Sequence, residues 1–145
     1  MNDRDFYQVI NYSLGKVGFE ITPQVLEWGR LINMMQNRSA GPFYVIGWDM
    51  AEADASKINS FLPSSSALSI TQDPDYDRLS ALAGAELDDA KRTAIWHDIQ
   101  HYVHDRYYVA GVWQASSLFV VNDKCDYAAR FGDNLILKDL TLRVK

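Results

Sequence analysis

Three histidines and one run of carboxylates are the residues of this chain best suited to chemistry. In "HDIQH", residues 97 to 101, two imidazoles stand four apart, with Asp98 between them and His104 one turn further on. That is the spacing with which a helix chelates zinc on one face, a carboxylate between the ligands serving as general base. Aspartate in place of glutamate sets the base one methylene too far back. Counting about 100° per residue places His97, His101 and His104 nearly opposite the apolar face of Ile95, Ile99 and Tyr102. The stripe is then solvated and able to pick up a metal ion, whereas a hydrolytic zinc needs a cleft. A zinc-dependent hydrolase built on His97, Asp98, His101 and His104 is therefore the enzymatic alternative rather than the favoured reading. In "GWDMAEAD", an apolar run ends in Trp48 and releases Asp49, Glu52 and Asp54 into a loop of small residues. Carboxylates so placed can hold a cationic amine through charge-assisted hydrogen bonds, and the indole can lie against a ligand. The competing structural reading makes Trp48 core and Asp54 the cap of the helix "ASKINSFL".

Other signatures are absent: no GxSxG elbow, no P-loop and no GxGxxG occurs. The single cysteine, Cys125, has no intramolecular partner and no CxxC companion, and reads as a small semi-buried residue. No cofactor is expected. The chain has 145 residues, 48% of them hydrophobic, enough for one domain with a core over residues 1–145. A net charge of -5 without any block of like charge argues against a nucleic-acid surface. The opening residues lack the basic start and apolar run of a secretory signal, and no apolar stretch approaches the length of a membrane span.

The elements that must position these residues read as alternating helix and strand. Phe6, Ile10, Leu14 and Val17 recur at helical spacing and Gly18 stops the helix. A short strand "FEIT" follows, residues 19–22, and Pro23 opens a second helix striped by Val25, Trp28, Leu31, Ile32 and Met35. "FYVIGW", residues 43–48, has the continuous apolarity of a parallel strand covered on both faces, so strands 19–22 and 43–48 are expected in one sheet. Beyond a Ser-rich loop, Asp73 and Asp88 are the N-caps of two helices, the second burying Ile95, Ile99, Tyr102 and Val103. The remainder, "YVAGVWQASSLFVVN" and "NLILKDLTLRVK", reads as extended.

Four stretches in this order carry a family resemblance: "LGKVGFEITPQVLEWGRLI", "FYVIGWDMAEAD", "DPDYDRLSALAGAELDDAKRTAIWHDIQHYVHDRYYVAGVWQ" and "LILKDLTLRVK". Together they cover nearly the whole chain and resemble the C-terminal lobe of the family 5 extracellular solute-binding proteins. These are the oligopeptide, dipeptide, nickel and glutathione receptors of bacterial ABC importers. Ala110 and Gly111 stand where the family commonly has proline, and the acidic loop lacks the common "DYPDP" form.

The resemblance implies an α/β fold: a partial lobe of the class II periplasmic-binding-protein-like fold, a mixed sheet flanked by helices. It implies a non-enzymatic substrate-binding component for peptides or similar small solutes, periplasmic or extracellular, whose ABC permease reads the ligand-closed form. In open α/β sheets ligands gather beyond the carboxyl ends of the strands, so Trp48, Asp49, Glu52 and Asp54 are expected to form one wall of the cleft. The family's amine-binding acid falls on Glu52, with Asp54 its alternative. Trp113 and Gln114 match a second cleft-facing position, against the alternative of a packed indole and a surface amide. Tyr107 and Tyr108 read as packing. The resemblance also implies a first lobe upstream, to which the closing strand, residues 135–145, would return. Without it that strand is expected to fold onto this chain or to pair with a second copy as a homodimer.

Overall fold

Side-chain and backbone caps set the limits of the helices more sharply than the apolar periodicity does. The computed structural model describes residues 3–48, 54–114, 116, 118–130 and 135–143. Their elements are α1 (Asp3–Gly15), α2 (Trp28–Gln36), a 3-10 helix Ala55–Ser60, α3 (Pro74–Ala85), α4 (Asp89–Asp105), β1 (Cys125–Tyr127), a 3-10 turn Leu137–Asp139 and β2 (Leu140–Leu142). The chain divides into two units, Met1–Gly41 and Pro42–Lys145.

In the first unit α1 presents Phe6, Ile10 and Leu14 as half-buried residues, while Val17 beyond the helix is exposed. Gly18, at φ 92°, closes a Schellman turn: its amide bonds the Gly15 carbonyl at 3.1 Å and the Phe19 amide reaches Leu14 at 3.1 Å. Helix α2 begins a turn later than Pro23, because Glu27 folds back as its N-cap. The two Glu27 carboxylate oxygens accept from the Gly29 amide at 2.9 Å and the Arg30 amide at 3.1 Å. Those bonds hold the Glu27 carboxyl below the usual carboxylate range. The expected stripe is present in part: Met35 is buried, Leu31 and Ile32 are half-buried, and Trp28 and Val25 are exposed. The helix ends on a second Schellman turn, in which Arg38 takes the left-handed position at φ 54° and the Ser39 amide reaches Met34 at 2.8 Å.

The expected mixed sheet is corrected. Residues 19–22 and 43–48 form no strand, and the only sheet among the described residues is the antiparallel pair of β1 and β2. The molecule is mainly helical, not an α/β layer of sheet flanked by helices. Continuous apolarity shows that a segment is fit to be a covered parallel strand, but a strand exists only with a ladder partner. "FEIT" and "FYVIGW" have none here, and the Phe19 amide is used by the Schellman turn instead. The same holds for residues 109–114 and 118–122, which join no sheet.

The core of the second unit is a helical hairpin and the loop that closes over it. Leu62, Tyr76, Ala83, Trp96 and Ile99 are buried together, with Ala55, Ile58, Leu79, Ile95, Tyr102, Val103 and Tyr108 around them. Asp73 and Asp88 cap α3 and α4, as read from the sequence. The Ser-rich segment is folded rather than open. The Ile70 amide bonds the Phe61 carbonyl at 2.7 Å, the Ser64 amide bonds Asp77 at 2.8 Å, and the buried Thr71 hydroxyl donates to Leu62 at 3.0 Å. Leu62 is thereby held in the core by hydrogen bonds from a segment with few apolar residues of its own.

The closing segment pairs within the chain: Cys125 opposite Leu142, Asp126 opposite Thr141, Tyr127 opposite Leu140. An Arg143–Asp126 ion pair and an Arg130–Asp139 bond of 2.7 Å flank the ladder. Leu140 is half-buried and Leu142 exposed, so only part of the expected alternation is used.

Candidate functional site

Asp73 is the best-organised polar group among the described residues. Its Oδ1 accepts from the amides of Asp75 at 3.0 Å and Tyr76 at 3.3 Å, which caps α3. Its Oδ2 accepts from the hydroxyls of Tyr102 at 2.7 Å and Tyr108 at 2.8 Å and from Arg106 Nε at 3.3 Å. The guanidinium of Arg106 also lies over the Tyr102 ring, 4.0 Å from its centroid. One carboxylate thus joins the start of α3 to the end of α4 and to the residues just past it.

The electrostatics follow from this set of donors. The Asp73 side chain is only 12% exposed, and burial alone would raise its pKa. Bonds from Tyr102, Tyr108 and the two amides outweigh burial and hold it at about 2. Burial and then the bond to Asp73 push the Tyr102 hydroxyl up, and the bond to Asp73 and then burial do the same for Tyr108. A carboxylate this well supplied with donors is a weak base and a strong anchor. Its chemistry is positioning. Deeper in the hairpin, the fully buried Tyr76 donates to Asn59 at 2.6 Å, and burial pushes its hydroxyl up to about 12.

The anchor also sets where the chain leaves α4. Tyr107, at φ 56°, ends the helix in a Schellman turn, its amide bonding His104 at 3.0 Å and the Tyr108 amide bonding Val103 at 3.3 Å. Tyr108 packs on the core and reaches Asp73, whereas Tyr107 is 89% exposed. The two tyrosines, both read as packing, therefore divide the work. The segment that follows carries Trp113 and Gln114, both exposed.

Of the other expected wall residues, Asp49 and Glu52 lie outside the described residues. Trp48 stands edge-on to Phe61 with ring centroids 4.3 Å apart, and its buried indole N–H has no acceptor among the described residues. Asp54 accepts from the Ser56 amide at 2.8 Å and caps the 3-10 helix Ala55–Ser60, the role its alternative reading gave it. That bond, with the Ser56 side chain adding to it, lowers the Asp54 carboxyl from its usual range. Trp48 and Asp54 thus border the loop, one leaning on the core and one starting a helix.

His97, Asp98, His101 and His104 are all exposed on α4, as the angular count expects. Among the described residues no three histidine, cysteine or carboxylate side chains converge so as to hold a metal. Sequence reasoning found the Asp73 cap but missed that its second oxygen gathers two phenols and a guanidinium. Those partners lie 29 to 35 residues away, where no spacing rule points. No helix among the described residues is long and apolar enough to cross a membrane. No family model, no curated protein and no solved structure matches the chain.

Proposed function

We propose that this chain is a substrate-binding component of an ABC importer for peptides or similar small solutes, working outside the cytoplasm and contributing one wall of a ligand cleft. It recognises and does not catalyse. The observation that carries the reading is the position of Trp113 and Gln114, both exposed, on the segment that leaves a hairpin fixed by Asp73. The long helical stretch of the resemblance ends at these two residues, and the resemblance makes them a cleft contact. An exposed indole can lie along a peptide, and a carboxamide can bond a peptide group from both sides. Asp73 supports the same reading, since the most elaborate polar cluster is saturated with donors and has little basicity to offer a reaction. The remaining contacts would come from another lobe, closing on the ligand as a hinge.

The test is calorimetric titration of the native product with a set of short peptides, alongside its Trp113→Ala variant. The reading expects stoichiometric binding without cleavage, weakened about tenfold or more when an interface aromatic is truncated. Peptide hydrolysis, or binding indifferent to Trp113, contradicts it. The 145-residue chain alone is expected to bind weakly, because half a cleft forfeits most contacts. Micromolar affinity for it alone overturns the one-wall statement.

A further inference from the structure

All three histidines of the sequence lie on α4, at positions 97, 101 and 104, and all three are exposed. At roughly 100° per residue they fall within an arc of about 60°. His97 and His101 are one turn apart, about 6 Å along the axis, and their side chains stand one above the other. His101 and His104 make a second adjacent pair. His97 and His104 are about 10.5 Å apart along the axis, too far to share an ion.

We infer that this face of α4 is a two-imidazole chelate for a borderline divalent cation of the copper, nickel and zinc class, with His101 the ligand common to both pairs. Neutral imidazole suits these ions, and an exposed helix leaves their other coordination positions to water. That accounts for a site of two ligands where, among the described residues, no set of three converges. The flanking carboxylates favour a cation. Asp98 borders the stripe, and Asp105 bonds His104 Nδ1 at 3.0 Å, which leaves Nε2 as the ring nitrogen available to a metal. A carboxylate on the far nitrogen orients a ligand imidazole and raises its basicity. His101 can serve only one pair at a time, so one chain holds one ion.

The ligand spacing exists only while α4 is helical. Bound metal therefore stabilises the helix, and with it the hairpin, by mass action. This site uses other residues than the proposed solute wall, and neither inference depends on the other.

The experiment is equilibrium dialysis of the untagged full chain against copper, nickel, zinc and magnesium salts, repeated with His101→Ala, His97→Ala, His104→Ala and the His97→Ala/His104→Ala double variant. All four substitutions are on exposed positions, and far-UV circular dichroism without metal checks that each variant keeps its helices. The expected result is one copper per chain, nickel and zinc weaker in that series, and no magnesium. His101→Ala should lower affinity at least about tenfold, the double variant should match it, and each outer single variant should lose less. Wild-type affinity in His101→Ala, or magnesium bound as well as nickel, overturns the inference.

Discussion

Tyr108 donates its hydroxyl to Asp73 Oδ2 at 2.8 Å across 35 residues of chain, so the cap that starts α3 also holds the exit from α4. Two events that look separate in the sequence, a helix beginning and a helix ending, share one carboxylate.

Asp73→Ala is accordingly expected to remove more than a cap. Loss of the N-cap alone costs about 1 kcal/mol, and each hydrogen bond to a charged group contributes about 1.5–3 kcal/mol. Urea unfolding should show a loss of roughly 2–4 kcal/mol for Asp73→Ala, and about 1.5 kcal/mol for Tyr108→Phe. Equal, sub-kilocalorie effects for both would mean the node is decorative.

The same carboxylate gives a pH dependence of fixed sign. Its folded pKa is lowered from the ordinary 3.8 to about 2, so the unfolded chain binds the proton first. The stabilisation is complete above 3.8 and is lost as pH falls through about 2. Wild type should exceed Asp73→Asn by a constant margin at neutral pH, and the margin should shrink across that acid window. A margin that grew on acidification would contradict the assignment.

Tyr107 occupies a left-handed backbone position at φ 56° with its ring 89% exposed. A non-glycine residue there costs about 1–2 kcal/mol, of which glycine returns roughly 0.5–1 kcal/mol as chain entropy. Tyr107→Gly is expected to raise the thermal midpoint, with a gain of about 0.5 kcal/mol. Destabilisation would mean that the exposed ring makes contacts worth more than the strain.

The serine-rich loop offers an internal control. Ser69 is buried, its hydroxyl 2.6 Å from the Thr71 carbonyl and accepting from the Thr71 amide at 3.3 Å, whereas Ser65 is exposed. Ser69→Ala should cost about 1–2 kcal/mol by leaving the buried Thr71 amide without its acceptor, while Ser65→Ala should stay within about 0.5 kcal/mol. Equal small effects would show the loop to be dispensable to the core.

What the sequence disclosed and withheld divides along the range of the interactions. The caps at Asp73 and Asp88, the stop at Gly18 and the buried face of Ile99, Tyr102 and Val103 are all set within one or two turns, and all were legible. The Glu27 cap was not foreseen, because Pro23 offered a helix start one turn earlier and glutamate is not among the preferred cap residues. The sheet failed for a different reason. "FEIT" and "FYVIGW" have the composition of covered strands, but pairing is non-local and composition does not name a partner. At the candidate site, the alternative role of Asp54 as a cap was readable from "DASK", whereas the tyrosines on Asp73 were reachable only through the fold.

The central claim, solute recognition outside the cytoplasm, is tested most directly by the size and location of the native product. An antibody raised against this chain should be used on fractionated source cells. The account expects a band several times larger than 16.5 kDa in the periplasmic or membrane-anchored fraction, released with other exported proteins. A band at 16.5 kDa confined to the cytoplasm would contradict it.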